Sequence, residues 1–160
     1  MSLGLYLHIP YCFSKCRYCD FYSHPGERGV PEAYVDALLR ELSRFAPEAP
    51  LQPDTLYFGG GTPSLLRPEQ AKRLIDAARP MPGAEITLEA NPETVTEESL
   101  AGFREAGVNR ISFGVQSARD TQLRTLGRPH TAKQARAAFA AAQRAGFTNI
   151  SGDIMLALPH

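Results

Sequence analysis

Strand-like and helix-like segments alternate along this sequence of 160 residues. Short apolar runs are followed by longer stretches in which apolar side chains recur at helical spacing. This alternation predicts an α/β fold, with a parallel sheet and right-handed helical crossovers. The five predicted strands are residues 5–9, 55–58, 85–88, 110–115 and 149–156. A closed barrel needs more strands than these, so the sequence predicts an open sheet or a partial barrel.

Prolines, hydroxyl side chains and glycines mark the ends of the predicted helices. Pro31 and Pro68 stand where helices can begin, because proline is tolerated in the first turn. Thr96 and Thr131 are predicted N-caps, and Gly107 is predicted to close the helix that follows Thr96. Ser117 is predicted to cap a short helix that contains Leu123 and Leu126. In the helix predicted after Pro31, the apolar residues that recur at helical spacing are Tyr34, Leu38, Leu42 and Phe45.

The charge and the cysteine content exclude several classes of protein. The chain has 17 basic residues (lysine and arginine) and 17 acidic residues (aspartate and glutamate). Because the basic residues are not in excess, the charge does not indicate nucleic acid as a partner. No apolar run approaches the ~20 residues that span a bilayer, and the N-terminus does not read as a signal peptide. All three cysteines lie between Cys12 and Cys19, which argues against a disulfide framework. We therefore expect a cytoplasmic protein without a transmembrane segment.

The three cysteines follow the first predicted strand, with the spacing Cys12-x3-Cys16-x2-Cys19. Three thiolates this close in sequence can surround one iron–sulfur core. A [4Fe–4S] cube normally has four cysteine ligands, and this chain has only three. One iron would then be open to the amino and carboxylate groups of a bound amino acid.

A structural zinc site is the principal alternative for these cysteines. His8 or His24 could serve as the fourth ligand of a Cys3His site. Structural zinc sites usually show two separated ligand pairs rather than one close triplet. Cysteines that are merely buried thiols form a third interpretation, which the charged neighbours Lys15, Arg17 and Asp20 disfavour.

Polar or glycine-rich segments follow the other predicted strands. Because the carboxyl ends of parallel strands meet at one edge, where such sheets bind ligands, these residues predict a single site. Each alone has an ordinary structural explanation, as a turn, a solvated carboxylate or a helix cap. The residues concerned are Gly59–Pro63 after the second strand, Glu89 and Asn91 after the third, Gln116 after the fourth and Asp153 in the fifth.

These motifs resemble those of a known family. The cysteine segment, Tyr6-x-His8-Ile9-Pro10-x-Cys12-x3-Cys16-x-Tyr18-Cys19, resembles the cluster loop of radical SAM proteins. Its opening is similar to that of oxygen-independent coproporphyrinogen III oxidases and their heme chaperone relatives of the HemW group. The family order is also followed by Gly-Gly-Gly-Thr-Pro-Ser, Glu-Ala-Asn-Pro, Arg-Ile-Ser-Phe-Gly-Val-Gln-Ser, Leu-Gly-Arg-Pro-His and Asp-Ile-Met-Leu. The resemblance extends from Tyr6 to Pro159.

The resemblance implies a [4Fe–4S] cluster and S-adenosylmethionine as cofactors, together with an electron donor. It implies that the reduced cluster passes one electron to the sulfonium, which yields a 5′-deoxyadenosyl radical. It assigns no catalytic residue with confidence. The implied metal ligands are Cys12, Cys16 and Cys19, and the implied S-adenosylmethionine residues are Gly60, Gly61 and Thr62 at the amino-acid end, Glu89 at the ribose, Gln116, Arg128 and Asp153 around the pocket, and Tyr6 and Tyr18 beside the cluster.

Asp20 and Phe21 bear on the branch of the family. The resemblance implies a glycine and a further cysteine at these positions in coproporphyrinogen oxidases, and Asp-Phe in the heme chaperones. We therefore expect heme as cargo and a hemoprotein as acceptor. Oxidation of coproporphyrinogen in porphyrin biosynthesis is the alternative, and a zinc-stabilised non-catalytic module or a truncated remnant is the alternative from another class.

The resemblance also implies that the fold extends beyond this chain. The family core is a six-fold (β/α) partial barrel followed by a C-terminal domain. Residues 1–160 are therefore expected to be the N-terminal part of a radical SAM core domain, truncated after about the fifth strand. His160 stands where the family has glycine. An uncovered fifth strand predicts marginal stability.

Overall fold

Five parallel strands form the main sheet, in a computed structural model that describes residues 2–45 and 51–158. The sheet order is the order of these strands along the chain, and a two-stranded parallel ribbon lies beside it. Most of the proline-rich segment 46–53, which the sequence indicates to be a surface loop, falls outside the described residues, and so does the chain end with His160. The sheet strands are β1 (Gly4–Ile9), β4 (Thr55–Gly60), β5 (Glu85–Ala90), β6 (Arg110–Gln116) and β7 (Asn149–Ile154), and the ribbon strands are β2 (Tyr11–Cys12) and β3 (His24–Pro25).

Helices connect the successive strands of the sheet. They are α1 (Glu32–Phe45), α2 (Pro68–Ala78), α3 (Glu97–Ala106), α4 (Asp120–Leu126) and α5 (Ala132–Arg144). Two short 3-10 turns, Pro63–Leu65 and Pro92–Thr94, follow β4 and β5. The predicted α/β fold with a parallel sheet is confirmed. Among the described residues, none of the helices has the length and apolarity that crossing a membrane requires.

The predicted helix caps are largely confirmed. The side chains of Thr96 and Thr131 accept hydrogen bonds from backbone N–H groups at the start of α3 and α5. Gly107 closes α3 with a φ of 114°. The prediction for Ser117 was wrong, because α4 begins only at Asp120. The Ser117 hydroxyl instead accepts a hydrogen bond from the Arg119 N–H, in the turn before the helix.

The core lies between the sheet and the helices. Phe58, Phe103 and Phe113 are among its largest fully buried side chains, and burial of each stabilises the fold by about 3 kcal/mol. Helix α1 contributes Leu42 to this core, as its spacing predicted. Phe45 lies in the same helix, as its spacing predicted, but at the last position, where it is 75% exposed. An apolar residue at a helix end need not reach the core, whatever its spacing.

The strand register brings the carboxyl ends of the sheet strands together. Leu5 pairs with Leu56, and Ile9 at the end of β1 pairs with Gly60 at the end of β4. β5 and β6 continue the same parallel alignment. The segments that leave these strands therefore share one edge of the sheet, which is where the sequence predicted a site.

Candidate functional site

A cleft at the carboxyl edge of the sheet gathers most of the predicted site residues. It lies between the cysteine loop and the segments that follow β4, β5 and β6. Of the residues that the resemblance implies as cluster or S-adenosylmethionine contacts, Tyr6 alone does not line it. The lining includes Cys12, Cys16, Cys19, Tyr18, Gly60, Gly61, Thr62, Glu89, Asn91, Ser112, Gln116, Arg128 and Asp153.

The cysteine loop is closed at its base by the β2–β3 ribbon. Within the ribbon Cys12 pairs with Pro25, and the Cys12 carbonyl accepts a 3.1 Å hydrogen bond from the Glu27 N–H. A turn carries the other two cysteines, since the Cys19 N–H donates to the Cys16 carbonyl at 3.1 Å. Cys12 is buried and the other two are partly exposed. The three thiols thus lie on one closed loop that faces the cleft.

The C-terminal end of α4 fixes the position of this loop. The Arg17 N–H donates a 3.0 Å hydrogen bond to the Leu126 carbonyl. Gly127, with a φ of 72°, then turns the chain away from the helix. A Cβ atom at Gly127 would lie 3.2 Å from Cγ of Arg17. A small residue in a left-handed conformation therefore allows the loop to approach the helix end.

Polar side chains reach two of the three cysteine sulfurs. The Thr62 hydroxyl donates to Sγ of Cys12 at 3.5 Å, and Nη1 of Arg128 donates to Sγ of Cys16 at 3.4 Å. Asn91 lies between the two donors. Its Nδ2 donates to Oγ1 of Thr62 at 3.1 Å, and its Oδ1 accepts from Nη2 of Arg128 at 2.6 Å. The sulfurs are thus linked to the sheet edge by hydrogen bonds.

The glycine segment after β4 lies against the cysteine loop. Gly60 has a φ of 117°, and its N–H donates to Oε2 of Glu89 at 3.3 Å. A Cβ atom at Gly61 would lie 2.7 Å from the Tyr11 carbonyl oxygen and 2.9 Å from Sγ of Cys12. No side chain fits at Gly61 without moving backbone, so glycine is required for this close approach.

Glu89 is a half-buried carboxylate at the end of β5. Burial raises its pKa, and hydrogen bonds from the Tyr57 hydroxyl and the Gly60 N–H lower it again. The pKa of Tyr57 is raised by burial and further by its hydrogen bond to Glu89. Burial also raises the pKa of Tyr18, to about 12, although the nearby Arg128 charge lowers it. Both phenols therefore remain protonated donors at neutral pH.

An irregularity at the end of β6 aims polar groups into the cleft. The β6–β7 register shifts between Gly114 and Gln116, and Gln116 has a φ of 63°. A Cβ atom at Gly114 would lie 3.0 Å from Oδ1 of Asn91 and 3.1 Å from Nη2 of Arg128. Asp153 on β7 is exposed and accepts a 3.5 Å hydrogen bond from the Ser112 hydroxyl. Nε2 of Gln116 would lie 3.2 Å from the Cβ atom at Gly114, so Asn91, Arg128 and Gln116 surround this glycine.

Tyr6 lies next to the cleft rather than in it. Its ring is 54% exposed and stacks on Tyr57 with a centroid separation of 6.1 Å. Its hydroxyl lies 3.1 Å from Nδ1 of His8. Contact between Tyr6 and a bound ligand stays a prediction.

Sequence reasoning missed Tyr57 and Ser112, which both belong to the site. Tyr57 bonds Glu89, and Ser112 bonds Asp153. The alternation of polar residues at Glu85, Thr87 and Glu89 was the available signal, because it marks one polar face of β5. Tyr57 pairs with Thr87 in the register and so belongs to that polar face.

The donor set suits an iron–sulfur cluster better than one metal ion. In residues 2–45 and 51–158, no three side chains of His, Cys, Asp or Glu lie close enough to hold a single ion. A zinc ion needs its ligands about 2.0–2.3 Å away, around one point. The cysteines of an iron–sulfur cube each bind a different iron, so they can lie further apart. Three cysteine thiols on one loop, beside a glycine segment that leaves room, fit that arrangement.

Comparison with known proteins relates the chain to others with these motifs. The family model described as Radical SAM superfamily matches residues 6–160. The chain is 43% identical to the heme chaperone HemW of Escherichia coli, over 98% of the chain and 43% of that protein. It is 42% identical to the bovine mitochondrial radical S-adenosyl methionine domain-containing protein 1, over 98% of the chain and 36% of that protein. The chain thus spans less than half the length of these relatives.

Solved structures show the same fold. Coproporphyrinogen III oxidase (HemN) from Escherichia coli matches with a TM-score of 0.87 and 31% identity, over 99% of this chain and 38% of that one. HydG, a maturase of the [FeFe]-hydrogenase, matches with a TM-score of 0.69 and 15% identity, over 99% of this chain and 36% of that one. The second likeness concerns the fold alone.

Proposed function

The chain belongs to the radical SAM superfamily, and from that premise we propose that it binds a [4Fe–4S] cluster and S-adenosylmethionine. The proposal is carried by one observation, the convergence of three free cysteines and four strand-end segments on a single cleft. Bound there, the cluster would supply one electron for reductive cleavage of S-adenosylmethionine. The protein residues would hold and orient both groups.

The cysteine loop would hold the cluster. Cys12, Cys16 and Cys19 provide three thiolates, which leave one iron open to the amino and carboxylate groups of the methionine part. Gly60, Gly61 and Thr62 would contact that amino-acid end. This assignment is supported by the close approach of the glycine backbone to the cysteine loop, because a side chain at position 61 would collide with that loop.

The remaining cleft residues would fix the nucleoside part. Glu89 is a half-buried acceptor suited to ribose hydroxyls. Gln116 and Asp153 would complete the pocket on the far side, with Arg128 at its floor. Tyr18 would flank the cluster, and Tyr6 would approach the adenosyl part from the neighbouring surface. Together these residues would exclude water from the reacting bond.

Heme handling is the task that we propose for the protein to which this sequence belongs. Relatives with about 40% identity are named heme chaperones, and Asp20-Phe21 follows the third cysteine. Residues 1–160 would form part of a radical SAM core domain, and the larger part of the relatives' length would contribute to the heme site. The partners would be heme, a hemoprotein acceptor and an electron donor. Three free cysteines near one another favour a reducing, cytoplasmic location.

Oxidation of coproporphyrinogen is the second candidate. The observation in its favour is the TM-score of 0.87 with the Escherichia coli oxidase, at 31% identity. Both candidates use the same cofactor site and differ in what is bound beside it. Product analysis separates them. Loss of carbon dioxide from coproporphyrinogen, seen by mass spectrometry, would establish oxidation, whereas a heme absorption band without that loss would favour the chaperone.

Anaerobic reconstitution tests the cofactor proposal. We expect about four irons and four sulfides per chain, and an EPR signal of the reduced sample that changes when S-adenosylmethionine is added. Variants with alanine at Cys12, Cys16 or Cys19 should lose most of the iron, whereas Asp20→Asn on the same loop should retain it. One zinc per chain without acid-labile sulfide would contradict the proposal and favour a zinc-stabilised, non-catalytic module.

A further inference from the structure

Arg128 is a buried cation at the floor of the cleft, with only 9% of its surface exposed. Its Nη2 donates to Oδ1 of Asn91 at 2.6 Å and to the Gly114 carbonyl at 2.7 Å. Its Nη1 donates to Sγ of Cys16 at 3.4 Å. Its Nε is buried with no hydrogen-bond partner in the chain as described. Three of the five guanidinium N–H groups are used in these bonds, so donors remain for a group that the described residues do not supply.

No carboxylate neutralises this guanidinium. Among residues 2–45 and 51–158, the ion pairs do not include Arg128. The nearby Glu93 instead lies 3.2 Å from Nδ1 of His130. A buried charge is costly unless a counter-charge compensates it. The Cys16 sulfur is the group in contact with Arg128 that can carry a negative charge, as a thiolate bound to iron.

Asn91 connects the groups that donate to the two sulfurs. It donates to Thr62, which donates to Cys12, and it accepts from Arg128, which donates to Cys16. This chain of hydrogen bonds joins two of the three predicted iron ligands through Thr62 after β4, Asn91 after β5 and Arg128 after α4. A rearrangement at Asn91 would therefore alter the hydrogen bonds to both sulfurs.

We propose that Arg128, held by Asn91, raises the reduction potential of the cluster by donating to the Cys16 sulfur. The proposal rests on the proposed function, since it requires the cluster. One electron from an external low-potential donor enters the cluster, with no bond formed or broken and no proton moved. The thiolate-bound cluster becomes more negative, so a buried adjacent cation stabilises the reduced form more than the oxidised form. Hydrogen bonds to cluster sulfurs act in the same direction.

Two substitutions remove this stabilisation by different routes. Arg128→Gln removes the charge and the donor to sulfur. Asn91→Asp is isosteric and leaves Arg128 in place, but its carboxylate neutralises the guanidinium. It also accepts from the Thr62 hydroxyl, which draws that hydroxyl away from Cys12. The second variant disturbs the packing little, so it answers the question if the first fails to assemble a cluster.

Arg17→Gln is the matched control. Like Arg128→Gln, it removes one positive charge, but Arg17 is exposed, and among the described residues the hydrogen bonds to cysteine sulfurs come from Thr62 and Arg128. The Arg17 charge is screened by water and salt. Arg128→Lys keeps the charge without the planar arrangement of donors, and we expect it to restore part of the potential.

The experiment is an EPR-monitored redox titration of the reconstituted chain without added S-adenosylmethionine. In Arg128→Gln and Asn91→Asp we expect the equilibrium constant for one-electron reduction to fall about tenfold, which is about 59 mV. Arg17→Gln should change it less than about threefold, because its charge is screened. Equal shifts in Arg128→Gln and Arg17→Gln, or no shift in either proposed variant, would overturn the inference. Failure of the parent chain to form any cluster would overturn the proposed function and this inference together.

Isotope labelling tests the contact without any substitution. Chain grown with arginine that carries ¹⁵N only in the guanidinium group should show a changed nitrogen modulation in pulsed EPR of the reduced cluster. The labelled nitrogen signal should persist in Arg17→Gln and disappear in Arg128→Gln. A modulation unaffected by the label in the parent chain would show that no arginine nitrogen donates to the cluster, and would count against the proposal whatever the potentials are.

Discussion

The hydroxyl of Tyr57 donates a 2.7 Å hydrogen bond to Oε1 of Glu89, across the neighbouring strands β4 and β5. This bond lowers the pKa of the Glu89 carboxyl, whereas burial raises it. Burial has the larger effect, so the folded chain holds the Glu89 proton more tightly than a solvated carboxyl would. Burial therefore destabilises the ionised form of Glu89 relative to a solvated carboxylate.

We expect Glu89→Gln to increase the stability of the cofactor-free chain at pH 7 by about 1 kcal/mol. The folded-state pKa of Glu89 is raised, so its contribution to stability is present at low pH and is lost as pH rises through that pKa. The increase in stability of Glu89→Gln over the parent chain should therefore be smaller near pH 4 than at pH 7. Urea unfolding of the variant and the parent chain at pH 7 and pH 4 measures this difference. An equal increase in the free energy of unfolding at the two pH values would contradict the prediction. Affinity for S-adenosylmethionine should fall in the same variant.

S-adenosylmethionine should bind less tightly as pH falls through the raised pKa of Glu89. An ionised carboxylate is the stronger acceptor for ribose hydroxyls. Tyr57→Phe removes a bond that lowers this pKa, so the loss of affinity should begin at a higher pH than in the parent chain. Tyr34→Phe, which loses a 2.8 Å bond to the His8 carbonyl, is the control. Titrations followed by EPR measure the profile, and identical profiles in the two variants would count against a role for Glu89.

Gly61→Ala should destabilise the chain by about 1–3 kcal/mol, because overpacking forces the backbone to shift. The added methyl group would lie 2.7 Å from the Tyr11 carbonyl oxygen and 2.9 Å from Sγ of Cys12. We also expect loss of most of the reconstituted iron. Gly29→Ala is the control, since its nearest atom lies 4.0 Å away. Iron content and thermal unfolding test this, and normal iron in Gly61→Ala would mean that the loop can move without consequence.

Gly127→Ala should accelerate loss of the cluster to a chelator. Gly127 and Gly146 both have positive φ, 72° and 88°, so alanine costs about 1 kcal/mol at either position. A methyl group at Gly127 would also press on Arg17 of the cysteine loop, whereas Gly146 has nothing within 4 Å. The two variants should therefore unfold alike and differ in cluster lifetime. Equal lifetimes would show that the α4 end does not support the loop.

Marginal stability of the chain stays a prediction from the sequence. Ile154 at the end of β7 is 65% exposed, and Leu156 beyond it is 81% exposed. Apolar surface of this kind beside an edge strand favours association. We expect a midpoint of thermal unfolding at or below about 45 °C, the lower end for domains of this size. Circular dichroism and sedimentation test this, and a monomer with a cooperative transition well above that range would contradict it.

The order of strands and helices was predictable because it depends on local patterns. Thr96, Thr131 and Gly107 end or begin helices through bonds with residues a few positions away. The β2–β3 ribbon was not predicted, because two-residue strands carry no periodicity and form only when the loop between them closes. Phe45 shows the converse, a residue with the right spacing and no core to reach.

Most candidate site residues were predictable from their place after strands, and Tyr6, Tyr18 and Arg128 only from the resemblance to a family. Their contacts were not predictable. Arg128 was expected around the S-adenosylmethionine pocket, and the sequence did not indicate that its partners within the chain are Asn91, Gly114 and Cys16. Such contacts depend on how segments distant in sequence meet. Tyr57 was missed for the same reason, since only the register of β4 against β5 brings it to Glu89.

The contact between Arg128 and Cys16 joins residues 112 positions apart. During synthesis the cysteine loop leaves the ribosome long before β6 and α4 exist. A cluster inserted at that moment would have neither its buried cation nor the helix end that supports the loop. Delivery of iron and sulfide is therefore expected to follow translation of at least this segment, which makes cluster insertion a late step in biogenesis.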